Sequence, residues 1–385
     1  MLALACNASF GADRYTALWS DGSRSSAPEI LDWSGATGRP RLNDRLLFDT
    51  RNPARWVRDN SLKLEPRPTA FVEFIGGDLL PGKVVGFAAG SAIAYESLPP
   101  HLLVEPGLRI DLPGMRGREH LRVLPDMIRR VVWKTGEERR YQPGTAFLAD
   151  GRRLSYRSLR WGATGVRLLT ENGPQTVALA DLAEIHLPSR DPWELYAGQL
   201  AVLDPSGKSR LLRIETPEGL RATTSLDRIR PRAEGDAANP DTWQFAFQPA
   251  WTLDAMFVEH RRIALRRLLS ATRAPLDWLE PSASRHHGAL SSAWEHFESD
   301  ANVQGGPLAC GGQPFDWGFG VHARHELEFE LPDMARAFRT WLGLDQLAGS
   351  GGCARGLIYV FTGRPSNTDL AQLQPAYRSD LLIGS

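Results

Sequence analysis

The sequence predicts a mostly β protein, with small strand-rich modules ahead of a C-terminal β-sandwich. One observation comes from the C-terminal third, where Leu327, Phe329 and Leu331 alternate with Glu326, Glu328 and Glu330. A period of two places one set inward and the other outward on a half-buried strand. Gly318 and Gly320 precede that run, and the glycines from Gly349 to Gly352 bend the chain into a second apolar run, Gly356-Leu-Ile-Tyr-Val-Phe361. Strands separated by short glycine turns are the pattern of a sandwich. The other observation is a weak internal repeat in the N-terminal half. Ala17–Trp33, Val72–Phe87 and Ala146–Trp161 each read as an apolar strand, a turn, and a second strand ending in an aromatic.

Turn chemistry supports the repeat. Asp21-Gly22, Gly76-Gly77 and Asp150-Gly151 supply the positive φ that a tight hairpin needs. The third copy continues through Gly165–Thr170, a turn at Glu171-Asn172-Gly173, then 175–179 and 181–187. A further strand pair is expected at 199–203 and 208–214, turned by Asp204-Pro-Ser-Gly207. Over residues 13–232 this rhythm resembles small SH3-like or Sm-like β-barrels. The expected divisions are 13–65, 66–190 and 191–235. Barrels of this kind host RNA, peptide or subunit contacts, so the resemblance leaves protein partners open and does not choose among them.

Residues 232–242 are polar with Gly and Pro and read as a linker. Beyond it, 253–270 has apolar residues at three- and four-residue spacing, with Arg261, Arg262, Arg266 and Arg267 between them. It reads as a helix packed on the sandwich that occupies the rest of residues 236–385. The segment "WGFGVHARHELEFELPDMARAFRTWLGLD…GSGG", residues 317–352, resembles the core of the NPCBM domain, a carbohydrate-binding module found beside some glycoside hydrolases. The shared order is G-x-G-V-H-A, an alternating strand, an aromatic-containing link, then G-x-D and glycines. The resemblance spans roughly 271–385 and implies a galactose-binding-like β-sandwich (jelly roll). The family's last strands would follow Ser379–Leu382, so the resemblance is incomplete or the chain is truncated, and truncation is favoured.

Composition bounds the remaining classes. The chain has 385 residues, 45 basic against 45 acidic, and a formal net charge of zero. A nucleic-acid partner would call for a basic face or run, and none is read here. Arginine pairs such as Arg129-Arg130, Arg139-Arg140 and Arg266-Arg267 read as solvated surface. No apolar run is long enough for a membrane span. Residues 1–12 read as a signal-peptide remnant without its basic start, with a lipid-modified Cys6 or a plain frayed terminus as the alternatives. An extracytoplasmic location, periplasmic or secreted, follows from the first of these. Cys310 and Cys353 could pair across the sandwich or stay as free buried thiols.

No catalytic constellation is found. Glu326, Glu328 and Glu330 point the same way and cannot flank a glycosidic bond from two sides. His286-His287 reads as loop, its rings pointing apart, and His322 and His325 have opposite parity. His322 reads as a structural histidine. No metal site and no cofactor are expected; the resemblance leaves a structural calcium as a further option, with Asp345 as a turn-fixing carboxylate or cation ligand. The expected role is non-catalytic carbohydrate binding. Aromatic faces take the apolar side of a pyranose, and polar side chains fix its hydroxyls. The candidate binding residues are Trp317, Arg324, His325, Trp341 and Asp345, with Phe319 and Tyr359 as further platforms. Of the tryptophans, Trp341 is expected in the core and Trp317 at the surface. The alternative is a structural or protein-interaction scaffold of the cell envelope.

Overall fold

The computed structural model describes residues 13–30, 39–63, 68–93, 96–108, 119–134, 139–188, 191–204, 206, 210–233, 243–270, 273–287, 296–306, 308–310, 313–315, 317–363, 370 and 373–384. The leader-like residues 1–12 with Cys6, Trp33 and most of the 232–242 linker lie outside them. The chain divides into two compact units, residues 1–274 and 275–385.

The fold is β-rich throughout. In the first unit, the expected hairpins form at the expected turns. Tyr15–Trp19 pairs with Arg24–Ala27, Phe71–Phe74 with Leu79–Ala88, and Thr145–Leu148 with Arg153–Ser155, all antiparallel. Gly22 and Gly151 sit at φ 86° and 88°, where a Cβ would be strained. The preceding aspartates fix both turns in the same way. Asp21 accepts from the Ser23 amide at 2.8 Å, and Asp150 from the Arg152 amide at 3.0 Å. The Ser23 hydroxyl and then its amide hold the Asp21 carboxyl below the usual aspartate range, and the Arg152 amide and then its guanidinium do so for Asp150. Gly165–Thr170, Gly173–Ala178 and Leu182–His186 come next, as the turn at 171–173 predicts.

The hairpins do not close into separate small barrels. Apart from the Gly165–Ala178 hairpin, which belongs to a separate three-stranded sheet, they join one 14-stranded antiparallel sheet, and no closed barrel occurs among the described residues. One half runs Arg153–Ser155, Thr145–Leu148, Leu182–His186, Ile128–Val132, Phe71–Phe74, Leu79–Ala88. The other runs Arg221–Ser225, Arg210–Glu215, Leu265–Ser270, Ala54–Asp59, Tyr15–Trp19, Arg24–Ala27. His101–Pro106 also pairs with Leu79–Ala88 and carries Leu121–Val123. The 13–65 module is therefore not self-standing, because Ala54–Asp59 pairs with Leu265–Arg267 from far along the chain.

Three further expectations are corrected. The 253–270 segment is not a helix bracing the sandwich. It forms Met256–Glu259, a single 3₁₀ turn at His260–Arg262 and Leu265–Ser270, all within the first unit. Leu265–Ser270 is a central strand paired on both edges, and its consecutive residues Leu265, Arg266 and Arg267 are all buried, so both faces are covered and the two-fold alternation is lost. Conversely, 199–203 is not a strand but the end of the helix Pro192–Leu203. Asp191 caps that helix by accepting from the Trp193 amide at 2.8 Å, with Pro192 in the first turn.

Finally, the arginine pairs are not simply solvated surface, although Arg140 is exposed. Arg130, Arg266 and Arg267 are buried. Glu73 takes Arg129 at 2.8 Å and Arg130 at 2.6 Å. Arg267 meets Glu215 at 3.0 Å, and Arg266 donates to the Ile263 and His260 carbonyls at 3.0 and 3.1 Å. Glu184 collects Arg130, Arg139 and His186, the last at 2.6 Å. The Gln142 amide donates to His186 Nδ1, so Nε2 carries the hydrogen and donates the hydrogen bond that Glu184 accepts.

The core of this unit is built on Trp19, Phe74, Leu80, Leu102, Leu168 and Trp251. Phe74 and Trp251 stack with centroids 4.2 Å apart and planes 8° from parallel. Asp78 lies fully buried against this pair. It accepts from Trp251 Nε1 at 2.9 Å, from the Thr223 amide at 2.8 Å and from Thr223 Oγ1 at 2.6 Å, and Arg213 sits 3.4 Å away. Replacing Asp78 by Ala should cost about 3–5 kcal/mol, because it strands a buried guanidinium. Urea denaturation of the full chain would register this as a lower midpoint.

A second expectation concerns pH. Burial, then the Arg266 and Arg14 charges, push the His260 pKa from 6.5 down to about 2. The folded ring stays neutral while the unfolded one protonates, so its contribution is complete above pH 6.5 and is lost progressively as pH falls toward 2. The slope is about 1.4 kcal/mol per pH unit. Urea midpoints at pH 7, 6 and 5 should fall more steeply for the native chain than for His260→Gln.

Candidate functional site

The C-terminal unit, 275–385, contains short strand pairs, and its sequence-predicted site residues fall on three of its elements. The first is the antiparallel pair Ala283–His286 with His325–Glu328. Its register puts Arg285 opposite Glu326, and Arg285 lies 3.8 Å from Glu326 and 3.4 Å from Glu328. His287 reaches Glu326 at 3.0 Å. Glu326 and Glu328 thus share one face, as their alternation predicts, with Arg285 and His287 as their partners there. The strand ends at Glu328, and Leu331 lies beyond it, exposed.

The other face of this pair holds His286 and His325, with ring centroids 5.7 Å apart, and Ser284, whose hydroxyl lies 2.8 Å from His325 Nε2. Phe297 meets His325 edge-on at 6.2 Å. His325 is therefore a half-buried packing group rather than an open ligand contact. His286 belongs to a strand and not to a loop, and its ring does point away from that of His287. His322 faces His296, centroids 6.3 Å apart. Burial, then the charges of His296 and His286, lower its pKa. Arg324 is exposed at φ +62°, and its carbonyl accepts the His287 amide at 2.9 Å, so it forms the turn that starts the strand.

The second element is the turn holding Trp317. Trp317 is half-buried, and the next residue, Gly318, bonds to Asp300 in both directions: its amide to the carboxylate at 3.3 Å, its carbonyl to the Asp300 amide at 2.8 Å. Phe319 sits beneath in an aromatic cluster, 5.9 Å from Phe297 and 5.3 Å from Phe329. It serves packing rather than sugar contact.

The third element carries Trp341 and Asp345. Trp341 is not in the core, being 54% exposed. The chain around it is held by two close approaches. A Cβ on Gly343 would sit 2.8 Å from Cys310 Sγ, and one on Gly356 would strike the Leu342 side chain. The glycines let the 341–345 segment lie against Cys310 on one side and against the start of the 356–361 run on the other. Asp345 accepts the Leu347 amide at 2.8 Å and caps the short 3₁₀ turn Gln346–Gly351, which is the turn-fixing role expected of it. Cys310 is half-buried and Cys353 exposed, and both are free thiols.

The sequence pattern did not single out the segment after Gly356 as a paired surface. Leu357–Ile358 pairs with Tyr377–Arg378, Leu357 opposite Arg378 and Ile358 opposite Tyr377. Just beyond, Tyr359 and Phe361 present rings parallel to within 2°, centroids 6.3 Å apart, with Phe361 41% exposed. The i, i+2 spacing of Tyr359 and Phe361 in an extended run was the available signal, because it puts both rings on one side. Parallel, partly exposed aromatic faces can stack on an apolar ring face, and the exposed Arg378, opposite Leu357 on the paired strand, can donate to hydroxyls. Among the described residues no group of three or more His, Cys, Asp or Glu is arranged to hold a metal ion, and no helix is long and apolar enough to cross a membrane.

Residues 274–367 match the family profile described as the NPCBM/NEW2 domain, a family of carbohydrate-binding modules. The match opens at the boundary between the two units and covers the strand pair, the Trp317 turn, Trp341 and the Tyr359/Phe361 pair. Neither the curated proteins nor the solved structures contain a match to this chain.

The two kinds of aromatic should separate in stability measurements. Phe319→Ala should lower the stability of the C-terminal unit by about 3 kcal/mol, as loss of a clustered ring does. Trp341→Ala should stay within about 0.5 kcal/mol of the native chain. Thermal melts of both variants would test the assignment, and a large loss for Trp341→Ala would return that ring to the core.

Proposed function

We propose that this protein binds carbohydrate non-catalytically through its C-terminal unit, at a cell envelope or outside the cell. The observation that carries the reading is the parallel Tyr359/Phe361 pair, standing partly exposed on a segment matched by a carbohydrate-binding family. Tyr359, Phe361 and Trp341 act as stacking faces, and Arg378 and Arg324 supply donors to hydroxyls. Trp317, half-buried, contributes an edge. Asp345 and His325 hold the backbone and the packing beneath.

A non-catalytic action is supported by the placement of the carboxylates. Glycoside hydrolysis needs two of them flanking the bond, whereas Glu326 and Glu328 share one face and are taken up by Arg285 and His287. Affinity then comes from shape and stacking, with no bond made or broken.

Calorimetric titration of the full chain with a panel of soluble glycans tests the reading. One sugar class should give a saturable heat, weakened roughly tenfold by Tyr359→Ala or Phe361→Ala, the loss expected when a stacking ring is removed. His260→Gln, in the other unit, should leave it unchanged. A folded chain that binds no glycan in the panel would instead support a scaffold role, with the exposed apolar side chains Val360 and Ile383 as protein contacts.

A further inference from the structure

The first unit carries a three-stranded meander, Ser158–Gly162, Gly165–Thr170 and Gly173–Ala178, apart from the large sheet. One face is buried through Val166, Leu168 and Val177. The opposite face is exposed and ordered in rows. Arg160 stands directly opposite Arg167, which stands opposite Thr176; the next row is Ser158, Leu169 and Pro174. Like charges directly opposite on a ladder destabilise it. Several arginines elsewhere in the unit are matched to carboxylates, Arg122 to Asp254, Arg130 to Glu73 and Arg267 to Glu215. Arg160 and Arg167 have no such partner among the described residues. The repulsion is relieved when one oxyanion lies between the two guanidinium forks, a geometry that suits carboxylate or sulfate.

We infer that this face docks an acidic polysaccharide, one that carries carboxylate or sulfate groups along its sugars. The Arg160/Arg167 pair clamps one charged group, and the Ser158 and Thr176 hydroxyls lie in the flanking positions to meet sugar hydroxyls. The choice of a glycan over a polyphosphate rests on the carbohydrate reading of the C-terminal unit and on the charge balance of the chain. With 45 basic against 45 acidic residues, it lacks the extended basic field that a nucleic acid calls for. A second weak contact on the same polymer would raise retention through avidity rather than through any new affinity at the aromatic site.

Affinity electrophoresis of the full chain through gels containing polygalacturonate tests this. Arg160→Gln and Arg167→Gln should each weaken retardation roughly tenfold, the loss of a charge-assisted contact, and added salt should weaken it in the native chain. Arg152→Gln removes the same charge from an arginine already paired with Asp150 and should leave retardation unchanged. Thermal melts without ligand should place the double variant no lower than the native chain, which shows that it is folded. Equal retardation of all variants would overturn the inference. So would retardation by single-stranded DNA but not by polygalacturonate. Because the neutral-glycan titration reads the aromatic site and this gel reads the arginine face, either proposal can fail without the other: loss of neutral-glycan binding with an arginine-dependent gel shift retires only the first.

Discussion

The large sheet hangs on one narrow junction. Its two halves are joined by a single backbone pairing, Arg221 with Leu79. One pair cannot set a register, since a slip of one residue would invert every side chain beyond it. Asp78, the neighbour of Leu79, supplies what the ladder lacks. Its carboxylate takes both the amide and the hydroxyl of Thr223, two residues along the facing strand, and also the indole of Trp251. Trp251 stacks on Phe74, the last residue of the strand before the turn. Arg213 completes the site by donating to the Gly76 carbonyl in that same turn. A hairpin, a strand pair and a loop are thus locked by one buried carboxylate, and the hydrophobic core around Phe74 and Leu80 can form only in the register it selects.

This arrangement explains why the first unit carries so much buried charge. Burial pushes the Asp78 carboxyl up, and Arg213, Thr223 and Trp251 act against that shift. Paired charges in an interior are rarely a net gain in stability over apolar residues of the same size, but breaking one pair is expensive. Glu73 with Arg129 and Arg130, and Glu215 with Arg267, obey the same logic at other strands. Each ties positions distant in sequence, and each makes an alternative pairing of the same strands leave an ion unmatched.

The local grammar of the chain was legible where geometry is local. Asp21-Gly22 and Asp150-Gly151 announced their hairpins because a positive φ and an aspartate that caps the turn are properties of a few residues. The order of glycine, alternating strand and G-x-D in the last hundred residues was legible for the same reason, and the family match falls there. Pairing at a distance was not legible. Nothing in Ala54–Asp59 states that its partner is Leu265–Arg267. In the latter, apolar residues and arginines recur as they do in an amphipathic helix, because both faces of a central strand are covered and Arg266 and Arg267 are buried with partners. The Pro192–Leu203 helix differs: Asp191-Pro192-Trp193-Glu194 carries a capping signature, whereas the apolar run at 199–203 is too short to tell helix from strand. At the site, Trp341 was misplaced because a tryptophan in a sandwich is usually interior. The exposure of Trp341 depends on how Gly343 lets its segment lie against Cys310 and Gly356 lets Leu342 approach, which no periodicity records.

The charge balance of the whole chain conceals an unequal use of its arginines. In the first unit the buried ones are taken up by carboxylates and carbonyls, so their charge is not available to a ligand. A net charge of zero therefore does not mean a surface of evenly mixed sign. It means that acid and base are matched where the fold needs them, and the remaining side chains decide what the surface can hold. Those are the Arg160/Arg167 row in the first unit and the aromatic faces at Trp341, Tyr359 and Phe361 in the second. In the roles proposed above, a guanidinium pair and an aromatic pair would act on different features of a glycan, its charge and its apolar ring face. They respond differently to salt, since screening weakens the first and leaves stacking largely intact. The two proposed contacts are therefore separable by ionic strength alone, because salt acts on one and leaves the other.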